Sequence, residues 1–122
     1  NDSLNGGLGA DTLDGGAGLD AFIFNTALGS TNIDRINNFV AVDDVIQLDH
    51  TIFTALGNIG ALTVGAFNTG AAAMQADDRV IFNTATGALS YDADGSGKGA
   101  AIQFATLSGL VGTLTASDFL VI

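Results

Sequence analysis

Short apolar blocks separated by Gly- and Asp-rich turns run the length of this chain. Leu4, Leu13 and Phe22 recur nine residues apart, each flanked by polar or small residues. Residues of one strand alternate faces, so these three are expected to point inward from three short strands. Further on, Ala21–Asn25 (AFIFN), Val45–Leu48 and Arg79–Asn83 (RVIFN) read as strands by β-branched and aromatic content. Ala88–Asp92 (ALSYD) puts Leu89 and Tyr91 on one face and predicts a hairpin with Arg79–Asn83, turning at Thr84–Gly87. Ala101–Thr106 (AIQFAT) returns as a strand, and Phe119–Ile122 is an apolar strand. Between Gly57 and Gly70 the pattern predicts loops and one short strand. Single helical turns are expected within His50–Leu56, Ala71–Ala76 and Thr115–Asp118, all too short to stand alone. The fold class is all-β.

The nine-residue spacing is a repeat. Gly6–Ile23 reads GGLGADTLD GGAGLDAFI, two units of the form G-G-x-G-x-D-x-U-x, where U is a bulky apolar residue. Asn1–Asn5 fit the tail of a third unit, so the array is expected to begin upstream of Asn1. The first six residues of a unit turn the chain, and the last three make a strand. Glycine suits the turn because its backbone takes positive φ and approaches closely. Such turns aim carbonyl oxygens at one point, and Asp at the sixth position adds charge on a short side chain. Calcium takes six to eight oxygen ligands of both kinds. The expected ligands are the carboxylates of Asp2, Asp11 and Asp20, with carbonyls from Gly6, Gly7, Leu8 and Gly9 and from Gly15, Gly16, Ala17 and Gly18. One coil of two units holds eighteen residues. Asp2 and Asp20 then share one edge, and Asp11 lies on the opposite one. The partner turn of Asp11 is either upstream or in the degenerate segment after Phe24. A flexible Gly-rich linker would not keep Asp and an apolar residue in phase across three units.

These units resemble the calcium-binding repeats of the haemolysin-type (RTX) family. The resemblance continues beyond them. Asp34, Ile36 and Phe39, then Asp44, Ile46 and Leu48, follow the D-x-I-x-D-F and D-x-I-x-L segments that succeed the last repeat in serralysin-type proteases. Asn38 stands where that family has the second Asp. The resemblance implies Asp34 as a calcium ligand, with Asn38 offering a neutral oxygen. T-G-x-L-x-Y-D-x-D-G-x-G (Thr86–Gly97) and the terminal D-F-L-V-I (Asp118–Ile122) are similar to the same family's C-terminal portion. Its members leave bacteria unfolded through a type I secretion system, guided by an uncleaved C-terminal signal, and fold outside on calcium. The architecture implied is a calcium-binding parallel β-roll over residues 1–32. An antiparallel β-sandwich-like cap carrying the export signal follows over residues 33–122. The implied location is extracellular. The implied partners are calcium ions, the secretion machinery during export and an upstream domain of the same protein.

Composition narrows the alternatives. The formal charge is −10, and all thirteen acidic residues are Asp. Without a basic footprint, nucleic acid is not an expected partner. No apolar run approaches membrane-spanning length, so no stable membrane insertion is expected. Absence of Cys excludes a disulfide framework and thiolate zinc sites, and the lone His50 reads as a surface residue. Neither H-E-x-x-H nor G-x-S-x-G occurs, so no catalysis is expected of this chain, although a parent protein could be a secreted hydrolase. A calcium-dependent carbohydrate-binding or adhesion module is the alternative function, weakened by the negative surface. One further loop, Asp92–Gly99 (DADGSGKG), spaces Asp92 and Asp94 like the first acids of an EF-hand. Its twelfth position is Gln103 rather than an acid. A tight turn is the preferred reading there, with Asp92 and Asp94 as weaker metal candidates.

Overall fold

The computed structural model describes the whole chain, residues 1–122. The apolar blocks become eleven short strands: β1 Ser3–Leu4, β2 Thr12–Asp14, β3 Ala21–Phe24, β4 Asp34–Asn37, β5 Val45–Leu48, β6 Gly60–Ala61, β7 Phe67–Thr69, β8 Val80–Phe82, β9 Ala88–Tyr91, β10 Ile102–Ser108 and β11 Phe119–Val121. Only single 3₁₀ turns interrupt them, at Thr54–Leu56, Val64–Ala66 and Ala116–Asp118. No helix is long and apolar enough to cross a membrane. Two mixed sheets result, ordered β1-β3-β5-β11-β6 and β2-β4-β10-β9-β8-β7.

None of the first five strands pairs with its neighbour in sequence. The chain crosses from one sheet to the other at each turn, and strands two apart pair in parallel. Leu4 lies beside Phe22, and Phe22 beside Ile46. In the other sheet Leu13 lies beside Ile36. Strands of two to four residues are marginal alone, so each depends on the one stacked against it. The C-terminal strands complete both rows. Leu107 of β10 pairs in parallel beside Ile36, and Phe119 of β11 beside Ile46. The rows Leu4–Phe22–Ile46–Phe119 and Leu13–Ile36–Leu107 supply one shared core. Aromatic contacts tie the sheets together, with Phe24 edge-on to Phe104 at 5.2 Å and Phe53 edge-on to Phe104 at 5.1 Å. A register shift between Gln103 and Ala105 turns two consecutive residues, Phe104 and Ala105, into that core, as a bulge does.

Most predicted strands and the β8–β9 hairpin are present, as are 3₁₀ turns inside His50–Leu56 and Thr115–Asp118. Three expectations change. Ala71–Ala76 is not helical, because the Asp78 carboxylate accepts the Met74 and Gln75 N–H groups and folds the segment into a turn. The region after residue 33 is mixed rather than antiparallel, since β10, β11 and β7 each pair in parallel with β4, β5 and β8. The expected boundary between residues 32 and 33 marks no break in sheet or core, because β4 and β5 continue the pairing of β2 and β3. A two-strand-thick stack has too little apolar area to stand alone, so one core is shared across that line.

Candidate metal centre in the glycine turns

The crossings between sheets create two edges. On one, the turn from β1 to β2 (residues 5–11) stacks on the turn from β3 to β4 (residues 25–33). On the other, the turn from β2 to β3 (residues 15–20) stacks on the turn from β4 to β5 (residues 38–44). The repeated glycines have separate jobs. Gly7 and Gly16 have φ of 78° and 77°, and Gly9 and Gly18 have φ of 108° and 127°, a region that penalises any Cβ. Gly6 and Gly15 have ordinary φ but leave room for the carboxylate of their own unit. A Cβ on Gly15 would lie 2.5 Å from Asp20 Oδ2, and one on Gly6 would lie 2.9 Å from both Asp11 Oδ2 and Asp34 Oδ2. Residues at the ninth position start each turn. Asn5 Oδ1 accepts the Gly7 N–H and Asp14 Oδ1 the Gly16 N–H, both at 3.0 Å.

The aspartates at the ends of the turns form ladders. Asp20 Oδ1 accepts the Asp2 N–H at 2.7 Å, and Asp44 Oδ1 accepts the Asp20 N–H at 3.1 Å. Asp44 Oδ2 also accepts the Val40 N–H at 2.8 Å. On the opposite edge Asp34 Oδ1 accepts the Asp11 N–H at 3.0 Å. Asp2 and Asp20 thus share an edge, and the partner turn of Asp11 is the degenerate one carrying Asp34.

Two oxygens are left over. Asp11 Oδ2 and Asp20 Oδ2 are buried without a hydrogen-bond partner, and Asp20 is only 1% exposed. A buried carboxylate oxygen without a donor is costly unless a cation or proton meets it. The protein supplies little charge of its own. No Lys or Arg pairs with any Asp. Burial pushes the Asp34 carboxyl above its ordinary range, and the neighbouring Asp11 charge adds to this.

No three acidic or His side chains converge, so carboxylates alone make no cage here. No backbone N–H donates to the carbonyls of residues 6–9 or 15–18, and among them only Gly7 has a side-chain donor, the Thr26 hydroxyl at 3.1 Å. Unbonded main-chain carbonyls in the same turns as these carboxylates are oxygen donors of the kind a hard cation prefers.

The structure separates other expected partners. Asn38 sits at the far end of β4 from Asp34 and donates its amide to Asp14 Oδ2 at 2.9 Å, so the two do not converge. Asp92 and Asp94 lie on the β9–β10 loop, against residues 75–76. Sequence reasoning placed Asp44 in a motif without giving it a role. Its position twenty-four residues after Asp20 was the available signal, obscured because the degenerate coil is longer than eighteen residues. No protein-family model and no curated protein matches the chain.

Proposed function

We propose that the chain is a calcium-binding module of a secreted protein of the haemolysin-type repeat class. Its N-terminal coils would form a short parallel β-roll, and its C-terminal strands would close that roll. The observation that carries the reading is the pair of buried, donorless oxygens on Asp11 and Asp20, set in glycine turns whose carbonyls lack N–H partners. Asp11, Asp20 and Asp34 with the carbonyls of residues 6–9 and 15–18 would hold the ions, and Asp2 and Asp44 would brace the Asp20 edge. Calcium would supply the positive charge that three basic residues leave wanting among thirteen acids.

The physical consequence is a switch in stability. Extracellular-type sites have Kd of about 10⁻⁴–10⁻³ M, so they stay empty at about 10⁻⁷ M calcium. At ten times Kd each site adds about 1.4 kcal/mol to the folded state by mass action. Several sites together would move a chain of marginal stability from unfolded to folded. A chain destined for type I export, as the C-terminal resemblance implies, would thereby stay unfolded until outside. In the folded form Phe119 and Val121 are buried and β11 is paired on both sides, so any receptor for this strand would have to meet the unfolded chain.

The test is a calcium titration followed by far-UV circular dichroism, with magnesium as control. Calcium, and not magnesium, should drive a coil-to-β transition whose midpoint rises in Asp20→Asn and Asp11→Asn. A spectrum already folded in chelator, and unmoved by calcium, would sink the reading.

A further inference from the structure

Asn5 and Asp14 hold the same ninth position of successive units, and each is followed by Gly. One carries an amide and the other a carboxylate, yet their turns are alike. Asn5 Oδ1 accepts the Gly7 N–H and Asp14 Oδ1 the Gly16 N–H, both at 3.0 Å. Asn5–Gly6 is the one Asn–Gly pair in the chain, and every other Asn precedes a residue that carries a Cβ. An amide in this setting is open to attack by the next main-chain nitrogen, because Gly has no side chain to obstruct the approach.

Three features of the fold leave that reaction available at Asn5. The side chain is exposed, so water reaches it. The pairing of β1 with β3 ends at Leu4 and Phe22, and the Gly6 N–H beyond it donates to no main-chain carbonyl, so the nucleophile is not held by the ladder. The bond from Gly7 N–H to Asn5 Oδ1 closes an Asx turn. That ring contains both Asn5 Cγ and Gly6 N, and keeps the two atoms on one side of the chain. The same N–H polarises the amide carbonyl and meets the negative charge that develops on Oδ1 during attack.

We propose that Asn5 is a site of spontaneous modification, converted by its own main chain and water to aspartate and isoaspartate. Gly6 N bonds to Asn5 Cγ and gives up its proton to water. The Cγ–Nδ2 bond breaks, and Nδ2 leaves as ammonia, which closes a five-membered succinimide. Water then adds to one of the two ring carbonyls. Opening at Cγ restores the main chain with aspartate in place of asparagine. Opening at the α-carbonyl leaves the main chain running through Cβ and Cγ. The balance is one water in and one ammonia out, with no change of oxidation state. The inference stands apart from the calcium reading, since it needs only the folded turn.

The fold treats the two products differently. The aspartate product reproduces the Asp14 turn, whose carboxylate holds the Gly16 N–H at the same distance. It forfeits the Asn5 Nδ2 bond to Asn25 Oδ1 at 2.9 Å, which Asn25, itself exposed, restores by rotating its own amide to donate. The isoaspartate product inserts one extra carbon into the main chain ahead of Gly6. Gly6 has no slack to absorb it, since even a Cβ there would lie 2.9 Å from both Asp11 Oδ2 and Asp34 Oδ2. The aspartate form should therefore keep the native turn and the isoaspartate form should lose it.

The test is to age the full chain at neutral pH in calcium, with circular dichroism showing it folded, in water carrying a heavy oxygen isotope. Peptide mapping by mass spectrometry should find Asn5 as the first Asn converted to acid, with heavy oxygen incorporated, at a rate comparable to that of the chain unfolded in urea. Asn5→Ser, whose hydroxyl can still start the turn, should fold and yield no early acidic species. Asn5→Asp should melt with the unmodified chain. The isoaspartate form, separated by ion exchange and identified by enzymatic methylation of its isoaspartyl carboxylate, should melt at a lower temperature. Conversion of Asn5 in urea but not in the folded chain would overturn the proposal, as would earlier conversion at another Asn or an isoaspartate form that melts with the unmodified chain.

Discussion

At the scale of single residues, three glycines that look alike in sequence answer to different constraints. Gly16 is required by its φ of 77°, and Gly15 by the carboxylate 2.5 Å from where its Cβ would be. Gly29 has neither constraint. Gly16→Ala should therefore cost about 1–2 kcal/mol through backbone strain. Gly15→Ala should cost a similar amount and in addition lower calcium affinity, because it displaces Asp20 itself. Gly29→Ala should fall within about 0.5 kcal/mol of the wild type. Urea melts at saturating calcium, combined with calcium titrations of each variant, separate the two kinds of loss. Equal affinities for Gly15→Ala and Gly16→Ala would contradict the division of labour. The pattern G-G-x-G-x-D announced Gly15 and Gly16, but not which glycine serves φ and which serves the carboxylate.

At the scale of elements, the C-terminal strand carries more than its three residues indicate. β11 is held by β5 on one side and β6 on the other, and Phe119 caps the row begun by Leu4, Phe22 and Ile46. The Ile122 carbonyl accepts both the His50 N–H at 2.9 Å and a contact from His50 Nδ1 at 2.8 Å, so the lone His serves structure at this strand's end. Phe119→Ala should destabilise by about 3–5 kcal/mol, whereas Leu120→Ala, half-buried on the other face, should cost much less. Chemical denaturation at fixed calcium measures both. Similar losses would mean that the strand docks by its backbone alone. Sequence pattern gave β11 as an apolar strand. It could not reveal that β11 stacks in parallel on β5, more than seventy residues earlier, because periodicity reports which face is apolar and not which strand will lie beside it.

At the scale of the whole molecule, charge and pH act together. Burial pushes the Asp118 carboxyl upward although it accepts the Thr115 N–H, and Asp34 and Asp92 move the same way, mainly through burial. A carboxyl with a raised native pKa binds its proton in the folded chain before the unfolded one does. Its contribution is present at low pH and lost as pH rises through the native value. Asp49 and Asp94 shift downward, Asp49 through the Thr51 hydroxyl and Asp94 through the Gly99 N–H. Their opposing effect begins only as pH falls into the ordinary carboxylate range. The calcium-free chain, at formal charge −10, should therefore be more stable just above the ordinary carboxylate range than at pH 7. Calcium should stabilise most at the neutral end, where protons compete least. Thermal melts in chelator at both pH values measure this, and Asp118→Asn should flatten the slope. A calcium-free melting temperature that falls throughout acidification would contradict it.

The repeat by itself determined where the turns fall, which residues face inward and which Asp share an edge, because glycine conformation, strand alternation and a fixed period are local constraints. It also determined that the chain is short of positive charge. The tertiary structure alone decided that the degenerate turns bearing Asp34 and Asp44 stack on the regular ones, that β10 and β11 continue the parallel rows, and that one core runs across the expected boundary at residue 32. Those outcomes depend on pairing between strands far apart in sequence. Such pairing is fixed by which apolar faces fit together, and no nine-residue period encodes it.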